Sequence, residues 1–230
     1  MQLSVILPCY NPQAGWAQHV QAGFARIRQD VPDAELILVN DGSPTDITAD
    51  VTALQQSIPG LKYVAYTDNK GKGHAIRTGA AQATGRFIMY TDIDFPYTHS
   101  SFMDVYHALA SGKCDIAVGV KDGVYYEHVP VLRRWTSKTL RFMTSRILRI
   151  GITDTQCGLK GMNRHGLKIL EQGRINRYLS DLELITNAER VRLHLLPVPV
   201  TLREGVSFSK VKMHILVREM ANFMKIMAGR

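Results

Sequence analysis

Two carboxylates one residue apart, Asp92 and Asp94, close the apolar run Phe87-Ile88-Met89-Tyr90-Thr91. A run of this length reads as a buried strand. It therefore delivers the pair to the C-terminal edge of a sheet, where open α/β sheets bind ligands. Paired carboxylates are hard oxygen ligands, suited to Mg²⁺ or Mn²⁺ carrying a diphosphate. A second group, Lys70-Gly71-Lys72-Gly73, has the composition of a loop whose backbone N–H groups approach phosphate, with Lys72 near it. It is not a dinucleotide-binding fingerprint, because the third glycine falls on Ile76 and the loop does not follow the first strand. Simpler readings stay open: a helix-opening loop at 70–73, and a strand-end turn with capping carboxylates at Asp92 and Asp94.

The elements that must position these groups alternate from the start. Strands are expected at Leu3–Leu7, Glu35–Val39, Leu61–Ala65, Phe87–Thr91 and Asp115–Val120, with helices over Trp16–Arg28, Thr45–Gln56 and His74–Ala83. Repeated strand–helix units with near-continuous apolar strands predict an α/β fold with a central, mostly parallel sheet flanked by helices. The second half is less regular. Residues 131–150 carry six basic side chains and no acidic one. Asp154-Thr155-Gln156-Cys157-Gly158 reads as a polar loop leading into Leu159–Met162, and Leu179–Arg190 as a helix. Pro197 and Pro199 make Leu193–Leu202 an edge or irregular strand. Lys210–Met227 has the apolar spacing of an amphipathic helix, rich in Met. Such a stripe either packs on the core or meets a lipid surface.

The chain has 230 residues and a net charge of +8, which favours anionic partners. Its three cysteines, Cys9, Cys114 and Cys157, are widely spaced and include no CxxC pair. That argues for reduced thiols in a cytoplasmic protein, against a disulfide framework or zinc site. The amino terminus reads as a first strand rather than a signal peptide. No segment approaches the roughly 20 apolar residues of a membrane span. A lipid substrate would have to be met at the membrane surface, by peripheral contact on its cytoplasmic face, or through a partner.

Taken together, Pro8-Cys9-Tyr10-Asn11, Asn40-Asp41-Gly42-Ser43, Lys70-Gly71-Lys72-Gly73 and Asp92-Ile93-Asp94 resemble glycosyltransferase family 2 in order and spacing. Asp154-Thr155-Gln156-Cys157-Gly158-Leu159-Lys160 narrows the resemblance to the branch that makes dolichyl- and polyprenyl-phosphate sugars, especially the dolichyl-phosphate β-glucosyltransferases. The chain departs from the family at Asn40, Pro12 and His74, where two acids in a row, a Glu and a small residue are commoner.

The resemblance implies a single GT-A domain over residues 1–230. Its nucleotide-sugar half would be 1–120, its acceptor half 121–209 and its C-terminal helix 210–230. It implies an inverting, metal-dependent hexosyl transfer, with UDP-glucose as donor and a polyprenyl phosphate as acceptor, and no nucleic-acid partner. Pro8, Tyr10, Asn11, Asp41, Gly71, Lys72, Gly73 and Asp92 would hold the donor. Asp94 would be the main ligand of Mg²⁺ or Mn²⁺, with Asp92 beside it. For Asp41, a helix N-cap or Asx turn stays open. Lys121, Arg133, Ser137 and Gln156 would hold the acceptor phosphate, Arg133 and Ser137 lying one helical turn apart; a solvated basic face is the other reading.

Arg133 and Asp154 join Asp94 as expected catalytic residues, Asp154 orienting the acceptor, Gln156 or a basic side chain; a carboxylate that only braces its loop is the other reading of Asp154. A phosphomonoester is mostly dianionic at neutral pH, so it needs no strong base. A saccharide hydroxyl acceptor would need one among Asp154, Asp181 and Glu183. A non-enzymatic membrane-associated module that binds anionic lipid stays open as well.

Overall fold

The structure, a computed structural model, describes residues 1–121, 152, 154–204, 222, 223 and 226. The basic segment 131–150, with Arg133 and Ser137, lies outside the described residues, as does most of 210–227.

The strands are β1 (Leu3–Cys9), β2 (Ala34–Asp41), β3 (Lys62–Tyr66), β4 (Phe87–Tyr90), β5 (Ile116–Lys121), β6 (Lys160–Met162) and β7 (Leu195–Val200). The helices are α1 (Trp16–Asp30), α2 (Thr48–Ser57), α3 (Lys72–Ala80), α4 (His99–Ala110), α5 (Arg164–Glu171) and α6 (Ser180–Arg190). All seven strands form one sheet in the order β3-β2-β1-β4-β6-β5-β7. β1 pairs in parallel with β2 and β4, and β3 extends the parallel set. β6 is antiparallel to both β4 and β5. β7 lies parallel to β5 at the edge, where its prolines cost no central ladder bonds.

Both faces of the sheet are covered, which is why its strands read as continuous apolar runs. Side chains alternate between faces along a strand. Leu3, Val5 and Leu7 of β1, Leu36 and Leu38 of β2, and Phe87 and Met89 of β4 point to one face. There they meet Trp16, Val20, Phe24 and Ile27 of α1, Val51 and Leu54 of α2, and Phe102 and Leu109 of α4. Ile6, Ile37, Val39, Ile88 and Tyr90 point to the other face, with Ile76 of α3, Leu167 and Leu170 of α5, and Leu182 and Ile185 of α6. Each fully buried aliphatic side chain contributes about 2 kcal/mol of transfer free energy. Phe223 and Ile226 also lie in this second layer, so at these two positions the C-terminal segment packs on the core.

Helices α4 and α5 add to the elements expected from sequence. Each has a capping side chain: Thr98 accepts from the Ser101 N–H, and Asn163 accepts from the His165 and Gly166 N–H groups. Helix α3 begins two residues earlier than its apolar pattern suggests, which makes Lys72 its first residue. β1, β2, β4 and β5 are mutually parallel or connected through β6, so their C-terminal ends bring Pro8–Asn11, Asp41, Asp92 and Lys121 to one edge.

Candidate active site

Asp41, at the end of β2, is 2% exposed. Its Oδ1 accepts from Tyr66 Oη at 2.7 Å and from the Lys70 N–H at 2.9 Å. Its Oδ2 accepts from Asn69 Nδ2 and the Gly71 N–H, both at 2.9 Å. The carboxylate is thus filled from within the chain, and it braces the 69–71 loop. Neither the helix N-cap nor the Asx turn weighed for Asp41 is among these contacts, which reach across to 66–71.

The 70–73 segment opens α3, as the simpler reading of it expects. The amides of Lys70 and Gly71 go to Asp41, and those of Gly73 and His74 go to the Asn176 carbonyl at 2.8 and 3.3 Å. Gly71 sits at φ 106, and a Cβ there would lie 2.5 Å from the Asn176 oxygen. At Gly73 a Cβ would collide with Ser180. These glycines therefore let the loop seat against 175–180, a contact Arg77 reinforces by donating to the Ile175 carbonyl at 2.9 Å. What the loop sends to the sheet edge is the Lys72 side chain.

Lys72 Nζ pairs with Asp92 Oδ1, and both side chains remain partly open to solvent. Burial alone would lower the pKa of the Lys72 ammonium, but Asp92 and Asp181 outweigh it and hold it above its ordinary value. Burial alone would raise Asp92; Lys72 first, then Lys121 and Lys160, hold it below its ordinary value. Asp94 goes the other way: burial and the charge of Asp92 push its carboxyl up. A carboxylate disfavoured by its neighbour is relieved by a cation between the two.

Among the described residues no three His, Cys, Asp or Glu side chains form a ready-made metal cage. Asp92 and Asp94 together still fit Mg²⁺ or Mn²⁺, which are commonly held by one or two carboxylates, with phosphate and water completing the shell.

The loop that carries the acids is held in an uncommon backbone conformation. Phe95 has φ 46. Arg203 donates to the Asp94 carbonyl at 2.9 Å and to the Phe95 carbonyl at 3.0 Å, and the Phe95 ring lies against Gly23. A cavity of about 200 Å³ opens beside Asp94, lined also by His19, Arg26 and Phe95. The Asn11 N–H donates to Ser43 Oγ at 2.9 Å and Asn11 Oδ1 accepts from Thr45 at 2.8 Å. Those contacts tie the loop after β1 to the loop after β2. Pro8 is half-buried beneath it, and Tyr10 stands 53% exposed at the rim.

Behind the acids lies a buried polar network. Lys160 is fully buried, with Nζ 3.1 Å from Asp181 Oδ1 and donating to the Cys157 carbonyl at 2.5 Å. Tyr90 Oη donates to the same Asp181 oxygen at 2.5 Å. Tyr97 Oη accepts from the Gly158 N–H at 2.9 Å, and Gly158 lies directly under the Asp92 carboxylate. Asp154 accepts from the Lys121 N–H at 3.2 Å, sits 3.9 Å from Lys121 Nζ, and accepts from the Gln156 N–H at 3.3 Å. Gln156 Nε2 is buried with no hydrogen-bond partner among the described residues. Glu183 lies apart, accepting from the Arg174 and Ile175 amides.

Sequence reading missed the roles of Lys160, Tyr90, Tyr97 and Arg203. A lysine inside the apolar run Leu159–Met162 was a usable signal, since a buried charge needs a partner. Arg203 carried none.

A family model described as Glycosyl transferase family 2 matches residues 4–170. A dolichyl-phosphate β-glucosyltransferase of Drosophila melanogaster is 26% identical over 218 residues, covering 87% of this chain; the chain spans 66% of that relative's length. Among solved structures, glucosyl-3-phosphoglycerate synthase of M. tuberculosis superposes with a TM-score of 0.70 at 19% identity, over 94% of this chain and 75% of that one. The same enzyme in complex with Mn²⁺, UDP-glucose and phosphoglyceric acid superposes with a TM-score of 0.66 at 18% identity, over 94% and 74%. These neighbours share the fold, the GT-A arrangement expected from the motifs.

Proposed function

This chain belongs to glycosyl transferase family 2, and from that premise we propose that it moves a hexose, glucose by preference, from UDP-glucose to a polyprenyl or dolichyl phosphate with inversion. The observation that carries the proposal is the meeting of Asp92, Asp94 and Lys72 at the sheet edge beside Lys121 and Asp154. The dolichyl-phosphate relative supports the acceptor. The neighbour solved with Mn²⁺ and UDP-glucose supports the donor and the metal.

In this reading Tyr10 offers an exposed ring for a base to stack on, and Asn11 holds the loop that carries it. Asp41 fixes the 69–71 loop, which in turn aims Lys72 at the diphosphate. Asp92 and Asp94 would hold the divalent ion, which when bound neutralises charge on the leaving diphosphate. Lys121, held by Asp154, and Gln156 would bind the acceptor phosphate; Arg133 and Ser137, which lie outside the described residues, are assigned to it from the family resemblance alone. Asp181 is engaged by Lys160 and Tyr90, Asp154 by Lys121, and Glu183 by two amides. A phosphate dianion that needs no strong base suits this arrangement better than a saccharide hydroxyl. The acceptor would be met at a membrane surface; no helix among the described residues is long and apolar enough to cross a membrane.

Calorimetry with Mn²⁺ or Mg²⁺ tests the donor site by comparing UDP-glucose, other UDP-sugars and GDP-mannose. Metal-dependent binding of one donor, followed by transfer to a polyprenyl phosphate, is the expected result. No binding of any donor in the presence of metal would overturn the reading.

A further inference from the structure

Lys72 opens α3 and its ammonium rests on Asp92, the acid whose carboxylate would receive a metal ion. Nothing in the loop obliges it to stay there. Its stem is flexible, its side chain is one-third exposed, and the loop beneath is fixed independently through Asp41 and Asn176. The Oδ1 of Asp181 is already shared by Lys160 and Tyr90. Lys121 and Lys160 also direct their charge at Asp92. Three ammonium groups thus stand among Asp92, Asp94, Asp154 and Asp181. A lone divalent ion entering here would meet little excess of carboxylate and would have to displace the Lys72 ammonium from Asp92.

Resting on the donor reading above, we propose that Lys72 blocks Asp92 in the donor-free protein and is drawn off it by the nucleotide diphosphate. The ion and the nucleotide then bind as a coupled pair. The diphosphate does two things at once: it gives Lys72 a new anionic partner and supplies the oxygens that complete the ion's shell. Binding of either ligand therefore strengthens the other by the same factor. The chain gains a safeguard from this, because Asp92 does not hold metal idly when no donor is present.

The test is an electron paramagnetic resonance titration of free Mn²⁺ against the full chain, with and without uridine diphosphate. It uses wild type, Lys72→Met, Lys72→Gln and Lys72→Arg, each checked for folding by circular dichroism. Wild type and Lys72→Arg should bind Mn²⁺ weakly alone and on the order of tenfold or more tightly with the nucleotide. Lys72→Met and Lys72→Gln should bind Mn²⁺ alone roughly tenfold more tightly than wild type, with most of the nucleotide-dependent gain lost. If wild type shows the gain but neither neutral variant binds lone Mn²⁺ more tightly, the blocking role of Lys72 is wrong and the donor reading survives. If wild type takes up no Mn²⁺ even with nucleotide, the donor reading fails and this inference falls with it.

Discussion

Asp41 and Asp92 look alike in the sequence, each an aspartate closing an apolar strand, and their strands β2 and β4 flank β1 on either side. Their surroundings differ. Asp41 is sealed in, and its acceptors are filled by a tyrosine, an asparagine and two backbone amides. Asp92 is open on one side and is answered by an ammonium on a flexible stem. Backbone donors cannot leave without unfolding a loop, whereas an ammonium can be exchanged for another cation. One acid therefore holds the structure, and the other is available for chemistry.

The largest effect that would break this contrast lies at the metal edge. Asp94→Asn or Asp92→Asn should lower glycosyl transfer on the order of 10³-fold, as removal of a group stabilising leaving-group charge does. The unfolding midpoint in urea should barely change. Turnover retained in both variants would remove the metal assignment.

At Asp41 the expectation is reversed. Asp41→Ala strands the Tyr66 hydroxyl and two amides, and should cost about 3 kcal/mol of stability in urea unfolding. If stability were unchanged while nucleotide affinity fell, Asp41 would be a direct ligand after all. A smaller loss, about 2 kcal/mol, is expected for Gly71→Ala, since it adds a Cβ at φ 106 against Asn176. Its donor affinity should fall as well, because the loop aims Lys72.

A third acid sharpens the comparison with the smallest signal. Glu35 is buried, and burial alone would raise its pKa. Lys62, Ser4 and Thr84 outweigh burial and bring it from an ordinary 4.5 to about 2. A depressed folded-state pKa stabilises the protein above the unfolded value, and that stabilisation is lost as pH falls from 4.5 toward 2. Unfolding free energy should therefore drop between pH 5 and about pH 2.5 more steeply in wild type than in Glu35→Gln. Parallel curves would mean that Glu35 is not a brace of the Asp41 kind.

Much of the fold could be read in advance. β1 to β5 and α1 to α3 fall where apolar runs and periodicity place them, within two or three residues. Helix α4 was readable too, since Thr98 caps it and Phe102, Tyr106 and Leu109 recur at helical spacing. β6 is three residues long and antiparallel, too short to show any period. The site was half legible. The residues Asp92, Asp94, Lys72, Asp154 and Lys121 do converge on one sheet edge. Their partners were not readable. The phosphate-loop look of 70–73 conceals amides spent on Asp41 and Asn176.

The sequence by itself determined the strand–helix alternation, the two buried faces and the arrival of acids at the C-terminal edge of β4. Those properties follow from side-chain periods of two and 3.6, which are local. Only the tertiary structure decided what each acid does. Asp41 meets Gly71 across 30 residues, Tyr90 meets Asp181 across 91, and Arg203 reaches Asp94 across 109. No local pattern records such pairings. They arise when distant segments pack and each buried polar group must find a donor, an acceptor or an opposite charge.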